Sequence, residues 1–465
     1  RKTKIICTIG PATAPFKILK QLAEDGMNVA RLNMSHGTHR WHGDVIRHIK
    51  TINKKTGSSV AILLDTKGPE IRTGDVKRDM VLEKGHSVTL TIRRQAELEP
   101  YCVEINYDGF VTDVTLGDIV LIDGGMLSLK VINITQTDIE CECLDDGILA
   151  SRRHVNIRGK SADLPSITEK DWQDIAFGID SGVDFVALSF VKGAFAIEEL
   201  RNHLTEKKVA IDIFAKIESA EAIPHIDEII AESDGIMIAR GDLGAELAYE
   251  EVPLLQDQII KKCRTAGKPV IVATHMLESM IVNPTPTRAE VTDITQAVLQ
   301  GTDAVMLSGE TATGKHPLKA LEVMDVVARR IERQMEQDTR VKVPASDNAK
   351  YEIARSASIL NNNLKTAATL VFTRRGLMAV LLSRCRPNVP IYAFTNTTHV
   401  RRRLGIHWGV FAFRIKFSKD PESSINRAVE QLKRKNLLKA GDRMIVLSDI
   451  LVGGTFIETV QVRIV

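Results

Sequence analysis

The chain has 465 residues, enough for roughly two to four domains, and 44% of them are apolar, which is ordinary for a globular protein with a sizeable core. A net charge of +3 is too balanced for a nucleic-acid-binding protein, and no apolar run is long enough to span a membrane, so neither is an expected partner. The six cysteines lack a CxxC spacing, which favours reduced thiols in a compartment such as the cytoplasm. Since the sequence begins at Arg1 inside a strand-like segment, any targeting peptide would lie upstream.

Eight apolar, β-branched runs recur along the chain, each followed by a segment with helical periodicity. They cover residues 4–10, 27–34, 60–66, 183–190, 211–218, 234–240, 269–277 and 303–310. Continuous apolar strands that alternate with amphipathic helices indicate a parallel sheet covered on both faces. Eight such units predict a closed (β/α)8 TIM barrel in the α/β class. Capping signals at 166–169 and 283–287 mark two of the predicted helix starts.

The pattern changes after the third run, between Gly74 and about Gly159. Short alternating runs at 87–92, 119–122, 127–134 and 139–144 are separated by turns such as Asp123-Gly124-Gly125, which predicts an all-β insertion. Because it follows a barrel strand, on the side where barrel active sites form, we expect a lid. The predicted barrel therefore covers 1–73 and 160–340, and the lid domain covers 74–159.

A polar segment at 334–350 marks a further boundary, after which strands and helices alternate again. Predicted strands at 367–373, 390–395, 408–413, 443–447 and 456–464 indicate a C-terminal three-layer α/β domain over 345–465. The run Arg401-Arg402-Arg403 is interpreted as a solvated helix face.

Polar residues collect at the C-terminal ends of the predicted barrel strands, which meet at one mouth where TIM-barrel active sites lie. These ends are 31–37, 65–72, 189–190, 216–218, 240–242, 274–275 and 308–310. Lys216 and Glu218 are two apart on one strand and point the same way, so they form either a plain ion pair or part of a site. Asp242 on the next strand end favours the site, since two carboxylates with open positions suit Mg²⁺.

A glycine-rich segment at 309–316 follows the eighth run and nearly matches a P-loop. His316 stands where the P-loop needs Ser or Thr, so the segment is interpreted as a barrel phosphate loop instead.

Together these motifs resemble the pyruvate kinase family. The matching segments are 4–11, 28–36, 65–74, 216–218, 239–244, 273–280, 286–290 and 306–311. The resemblance covers all three predicted domains, and it is most specific in the barrel and weaker after about residue 345. Segments 244–247 and 250–256 are similar to the plastid-type branch of the family.

The resemblance implies transfer of the phosphoryl group of phosphoenolpyruvate to ADP, giving pyruvate and ATP in the last step of glycolysis. It implies two cofactors, Mg²⁺ (or Mn²⁺) and K⁺. Glu218 and Asp242 would hold Mg²⁺, and Lys216 would lie beside the transferring phosphoryl group. Arg31 and Arg72 would clamp phosphate oxygens.

The remaining implied roles concern K⁺, the nucleotide and the substrate. K⁺ would bind Asn33, Ser35, Asp65 and Thr66, while ADP or ATP would meet Asn33, His36, Arg72 and Arg153. Gly241 would donate a backbone hydrogen bond to the substrate carboxylate, beside Asp242, and Thr274 would relay a proton through water to the carbon that becomes a methyl group. A homotetramer is implied, with the C-terminal domain serving regulation and oligomerisation, in the cytoplasm or alternatively in a plastid or other organelle.

Two alternatives remain open from the residues. One is a metal-dependent lyase or aldolase of the phosphoenolpyruvate/pyruvate barrel group, and the other is a non-catalytic binding scaffold. The loop 373–378 has Arg375 and Leu377-Met378 where family members activated by fructose 1,6-bisphosphate carry small hydroxyl residues, so little activation by that effector is expected.

Overall fold

The computed structural model describes residues 1–95, 99–159, 164–335, 348–452 and 455–465. In these ranges no helix is both long and apolar enough to cross a membrane. The chain begins with the predicted strand and helix alternation: β1 (Lys4–Thr8), α1 (Phe16–Asp25), β2 (Val29–Asn33), α2 (His39–Thr56) and β3 (Ala61–Asp65).

The insertion after β3 is an all-β unit with one short helix. Its elements are β4 (Met80–Leu82), β5 (Ser87–Thr91), β6 (Cys102–Glu104), α3 (Phe110–Asp113), β7 (Ile119–Ile122), β8 (Leu127–Ile134), β9 (Asp138–Cys143), β10 (Gly147–Leu149) and β11 (Val155–Ile157). Six strands form a sheet in the order β11-β7-β8-β9-β5-β6, and β4 pairs with β10. The four predicted strands are confirmed as β5, β7, β8 and β9. The other four have three residues each, too few for alternation to reveal them.

The chain then returns to the barrel. Its elements there are α4 (Glu169–Ser181), β12 (Phe185–Leu188), α5 (Ala194–Glu206), β13 (Asp212–Ile217), α6 (Ile226–Glu232), β14 (Gly235–Ala239), α7 (Arg240–Glu246), α8 (Glu251–Ala266), β15 (Val270–Ala273), α9 (Arg288–Gln300), β16 (Ala304–Leu307), α10 (Gly309–Ala312) and α11 (Pro317–Glu332). Both predicted helix starts are confirmed, because Thr168 and Thr287 begin α4 and α9 with complete capping boxes.

Eight parallel strands close in the order β1-β16-β15-β14-β13-β12-β3-β2, which confirms the predicted TIM barrel. Alternate residues of each strand enter separate apolar clusters, one against the surrounding helices and one inside the barrel. Inside, the rings of Phe185 and Phe214 meet edge to face at 5.4 Å. Gly235 makes room for them, since a Cβ there would lie 2.3 Å from the Phe214 ring.

The C-terminal domain contains α12 (Ala349–Leu364), β17 (Ala368–Phe372), α13 (Leu377–Arg384), β18 (Ile391–Thr395), α14 (Thr398–Arg403), β19 (Val410–Arg414), α15 (Pro421–Arg434), β20 (Arg443–Val452) and β21 (Thr455–Ile464). The sheet order is β19-β18-β17-β20-β21, with only β20 and β21 antiparallel among its pairs. Helices pack on both faces in two apolar clusters, so the three-layer prediction is confirmed. The predicted boundaries at 160, 340 and 345 lie outside the described residues.

The C-terminal domain docks on the N-terminal rim of the barrel, opposite the strand ends that carry polar residues. Arg402 and Arg403 pair with Asp184 and Asp212, which lie at the starts of β12 and β13. The prediction of a solvated Arg401-Arg402-Arg403 face is therefore wrong. The sequence around the arginines does not reveal that their acidic partners, Asp184 and Asp212, lie on the barrel domain.

Candidate active site

A buried charge cluster lies where β3, β12 and β13 end. The Lys216 ammonium is 3.0 Å from Asp65 Oδ1 and 2.8 Å from Glu218 Oε1, and it donates to Ser189 Oγ at 2.7 Å. The Lys216, Asp65 and Glu218 side chains are 9%, 0% and 2% exposed. Both carboxylates and the hydroxyl hold Lys216 in one place. Lys216 and Glu218 therefore belong to a larger buried cluster at the strand ends and are more than an isolated ion pair.

Arg31 extends the cluster toward β1. Its Nε lies 2.5 Å from Asp65 Oδ2, and its Nη1 donates to Thr8 Oγ1 at 2.9 Å. Asp65 therefore bridges two cations, Arg31 on one oxygen and Lys216 on the other. A carboxylate shared in this way fixes both positive charges relative to each other.

Burial governs the protonation of the two central groups. Burial alone would lower the pKa of the Lys216 ammonium, but the charges of Asp65 and Glu218 outweigh it and raise that pKa, so Lys216 is a cation. Burial raises the pKa of Glu218 to about 7, where Lys216 opposes the rise and Asp242 and Asp65 add to it. The cluster thus holds a fixed cation beside a carboxylate that lacks full charge compensation.

Backbone geometry orients Glu218. Its Oε2 accepts the backbone N–H of Phe190 at 2.8 Å. Phe190 has a φ of +51°, in the left-handed region that a bulky residue rarely adopts. Such strain persists only where the surroundings impose it, and it is frequent at functional sites.

Asp242 and Thr274 follow β14 and β15, the next two strands of the barrel after β13. Asp242 lies in the first turn of α7, not at a strand end, because the helix begins at Arg240 directly after β14. Thr274 Oγ1 accepts the Gly241 N–H at 2.7 Å and donates to the Ala273 carbonyl at 2.6 Å. A substrate carboxylate would therefore compete with Thr274 for the Gly241 N–H.

Thr274 is held in a strained conformation. Its φ is +67°, and that of His275 is +54°. Arg240 donates to the Thr274 carbonyl at 2.6 Å and lies 2.6 Å from Asp293. The arginine thus anchors the turn that aims the Thr274 hydroxyl at the start of α7.

The four predicted K⁺ ligands lie on two neighbouring strand ends. Asn33 and Asp65 are register partners on β2 and β3. The Ser35 N–H donates to Asn33 Oδ1 at 3.1 Å, and Thr66 Oγ1 accepts the Ser189 N–H at 3.0 Å. The structure brings these oxygen donors to one part of the mouth, with Asp65 already bound to Arg31 and Lys216.

A pocket of about 510 Å³ opens beside Arg31. Asn33 and His36 line it, together with Trp41, and residues 8–11, 308–309 and 312–313 form much of its remaining wall. Trp41 was not predicted as a site residue, since a tryptophan in the first turn of a helix carries no signal that separates it from a core residue. Ser189 was recognised only as a strand end, and its contact with Lys216 depends on folding.

Arg72 and Arg153 lie on the two chain segments that join lid and barrel, away from that pocket. Arg72 donates to Glu70 Oε2 at 2.8 Å and to the Arg152 carbonyl at 2.9 Å. Arg153 lies 3.1 Å from Asp123 of the lid. Arg72 and His154 form a β-bridge between the segments, so both arginines lie at the junction between the lid and the barrel.

The glycine-rich segment at 309–316 is not a P-loop. Glu310 is fully buried, and its carboxylate accepts the backbone N–H groups of Leu277 at 2.9 Å and Ser308 at 2.7 Å. Gly309 and Thr313 nevertheless line the pocket beside Arg31. The segment therefore shapes the wall of the mouth while Glu310 ties it to the loop after β15.

The fold and the cluster define the class of protein: a (β/α)8-barrel enzyme with fixed cations and buried carboxylates at its C-terminal rim, an arrangement that suits phosphoryl transfer. Residues 1–321 match the family model "Pyruvate kinase, barrel domain", and residues 351–462 match "Pyruvate kinase, alpha/beta domain". The chain belongs to the pyruvate kinase family, as the motifs predicted, and is a phosphotransferase.

Individual relatives agree over nearly the whole length. The chain is 50% identical to plastidial pyruvate kinase 2 of Arabidopsis thaliana, across 96% of this chain and 78% of that protein. It is 51% identical to the chloroplastic pyruvate kinase isozyme G of Nicotiana tabacum, across 95% and 79%. A solved pyruvate kinase from Cryptosporidium parvum superposes with a TM-score of 0.92 at 36% identity, covering 99% of this chain and 96% of that one. Neither the lyase or aldolase alternative nor the scaffold alternative is favoured.

Proposed function

We propose that the buried cluster at the barrel mouth carries the transfer of the phosphoryl group from phosphoenolpyruvate to ADP. The observation that supports this most directly is Lys216, a buried cation held by Asp65, Glu218 and Ser189. Charge grows on the oxygens around a transferring phosphoryl group, and a cation fixed in advance stabilises it without reorganisation. Arg31, locked to Asp65, supplies the second fixed charge.

Glu218 and Asp242 fit a divalent cation. Their donors are hard oxygens, and the raised pKa of Glu218, at about 7, reflects burial near other carboxylates that a cation would offset. Two carboxylates are sufficient, because Mg²⁺ is usually bound by one or two of them together with water and substrate oxygens. When bound, Mg²⁺ or Mn²⁺ would polarise substrate oxygens and offset the charge of the enolate.

Asn33, Ser35, Asp65 and Thr66 fit K⁺ by the same reasoning, since they offer only oxygen ligands from adjacent strand ends. The 510 Å³ pocket beside them is suited to the nucleotide, with Asn33, His36 and the face of Trp41 as contacts. Arg72 and Arg153 would join the nucleotide from the hinge when the lid closes.

The enolate left by phosphoryl transfer must gain a proton. The Thr274 hydroxyl is too weak an acid to supply it alone, so Thr274 orients a water that relays the proton. Its anchored turn keeps the hydroxyl in place beside the Gly241 N–H. Lys216 and Thr274 therefore act in separate steps, the first in phosphoryl transfer and the second in protonation.

A coupled assay for pyruvate, with and without ADP, tests the proposal. Pyruvate should form from phosphoenolpyruvate only when ADP, Mg²⁺ and K⁺ are present, and ATP should appear in equal amount. A lyase would form its product without ADP, and a scaffold would form none. Lys216→Met serves as the inactive control.

Two further properties are proposed with this function. A homotetramer is supported by exposed apolar side chains near α7 and α8, where Tyr249 and Leu254 are 88% and 59% exposed, and on the edge strand β21, where Ile464 is 70% exposed. Light scattering should give about four times the chain mass of 51.4 kDa. A plastid location is supported by the plastidial and chloroplastic relatives, in place of the cytoplasm, and cell fractionation would test it.

A further inference from the structure

Asp171, in the first turn of α4, is fully buried and uses both carboxylate oxygens. Oδ2 accepts the Thr168 backbone N–H at 3.0 Å and the Thr168 hydroxyl at 2.6 Å, which completes the capping box. Oδ1 accepts the backbone N–H groups of Lys67 at 3.0 Å and Gly68 at 3.1 Å. The start of a helix needs only the first pair of bonds. The second pair ties α4 to the loop after β3.

The same turn of α4 also holds the loop after β2. Lys170 donates to the Met34 carbonyl at 2.9 Å. Asp174, which is 1% exposed, lies 2.6 Å from Lys170 and 2.6 Å from His39 at the start of α2. One turn of one helix therefore fastens two separate loops from outside the barrel.

Those two loops carry the proposed K⁺ ligands. Met34 lies between Asn33 and Ser35, and Lys67 directly follows Asp65 and Thr66. None of the α4 side chains is itself among the proposed ligands. Their effect on the ion would come from the positions they impose on the loop backbone.

Gly68 passes this constraint on to the charge cluster. Its φ is +73°, and a Cβ there would lie 2.8 Å from both Ser189 Cβ and the Phe190 ring. Ser189 accepts from Lys216, and the Phe190 N–H orients Glu218. The Gly68 backbone thus packs directly against the two residues that position the catalytic lysine and the metal carboxylate.

We propose that Asp171 is a positioning residue of the active site, which sets the loop after β3 and through it the K⁺ ligands Asp65 and Thr66. This inference rests on the proposed K⁺ site and adds a residue to it. Because the two carboxylate oxygens have separate partners, the helix cap can be weakened while the loop contact is kept. Thr168→Val removes the hydroxyl of the helix cap. Asp171→Ala removes the carboxylate, and with it both the cap bonds and the bonds to the loop.

The first measurement is hydrogen exchange of the ligand-free protein. Asp171→Ala should speed exchange in the peptide that contains Lys67 and Gly68, whereas Thr168→Val should leave that peptide like the parent. The second is activity against KCl at constant chloride with tetramethylammonium. Asp171→Ala should raise the half-maximal K⁺ concentration by about tenfold or more, as loss of supporting contacts at a metal site usually does. Asp171→Asn, which keeps one acceptor oxygen for the loop, should lie nearer the parent.

Each outcome bears on the inference. Unchanged exchange at Lys67 and Gly68 in Asp171→Ala overturns it, and so does an equal K⁺ shift in Thr168→Val, which would assign the effect to helix stability alone. Faster exchange with an unchanged K⁺ curve also overturns the positioning role. A parent enzyme that is fully active without K⁺ refutes the proposed K⁺ site instead, a result that the parent curve alone reveals.

Discussion

Arg402 of the C-terminal domain directs its Nε at both carboxylate oxygens of Asp184, at 3.0 and 2.9 Å, across the junction with the barrel. Asp184 is fully buried, accepts the Ile62 N–H at 3.0 Å and lies 3.3 Å from His399. The pair therefore joins α14 to the start of two barrel strands, on the rim opposite the active site.

Arg402→Ala should destabilise this junction by about 3 kcal/mol, because it leaves the Asp184 carboxylate buried with less charge compensation. The melting temperature should fall, and exchange should rise in peptides from α14. Arg427→Ala is the matched control, since Arg427 is exposed on α15 and donates to the Ser423 carbonyl of its own helix. Equal melting temperatures for the two variants would contradict the role of the pair.

The barrel was predictable from sequence because each of its strands is buried on both sides and appears as a continuous apolar run. The parallel strands also make their C-terminal ends meet, so Arg31, Asp65, Lys216 and Glu218 could be placed at one mouth before any coordinates. The position of a residue along a predicted strand shows at which end of that strand the residue lies. That suffices for a list of candidates.

The pairings within the site could not be predicted in the same way. Asp65 bonds to Arg31 and Lys216, which are distant in sequence, and nothing local distinguishes it from a residue that binds only an ion. The Arg402 partner is 218 residues away. The capping signal at 166–169 predicted a helix start, but it did not include Asp171, whose contact with Lys67 exists only because the chain returns from the lid insertion and places α4 beside β3.

Asp242→Ala should weaken Mn²⁺ binding by about 10-fold or more, since one of two proposed carboxylate ligands is lost and the fold is intact. Asp242 is only half-buried, so the change leaves no large cavity. A titration of the substrate-free enzyme with Mn²⁺ checks this. Glu250→Gln, which removes an exposed carboxylate at the start of α8, should bind like the parent. Parent-like affinity in Asp242→Ala would mean that the ligand assignment is wrong.

Lys216→Met and Thr274→Val should separate the two chemical steps. The first removes the cation at the phosphoryl group and should lower ATP formation by about a thousandfold, yet leave some metal-dependent exchange of pyruvate methyl protons with solvent. The second removes the hydroxyl beside Gly241 and should damage that exchange. Deuterium incorporation into pyruvate, followed by NMR, measures the exchange. Equal loss of exchange in both variants would refute the division, provided that circular dichroism shows both to be folded.

Lys4 should make stability depend on pH. Its ammonium is buried at the domain junction and donates to the Val410 carbonyl. Burial lowers the pKa of Lys4 to about 7. Between pH 7 and about 10 the unfolded chain binds a proton there that the folded chain does not, so the free energy of unfolding rises with pH, by up to about 1.4 kcal/mol per unit.

Lys4→Met lacks this contribution. Between pH 7 and pH 9 the melting temperature of the parent should therefore rise relative to that of the variant. Lys54→Met, at an exposed lysine of α2, should differ from the parent by a constant amount over that range. A constant difference for Lys4→Met as well would show that Lys4 stays charged in the folded protein.

Fructose 1,6-bisphosphate should give little or no activation. The C-terminal domain has a pocket of about 750 Å³ in which Thr373, Arg374, Arg375 and Met378 lie near Phe417. Thr373 Oγ1 already accepts the Gly376 N–H at 2.9 Å, and Arg375 and Leu377-Met378 stand where activated family members carry small hydroxyl residues. Each missing charge-assisted hydrogen bond to phosphate is worth about 1.5–3 kcal/mol, so the loss of two weakens binding by about two or more powers of ten. Phosphoenolpyruvate saturation curves with and without micromolar bisphosphate should coincide. A clear leftward shift that Thr373→Ala abolishes would show that this loop still grips the phosphate.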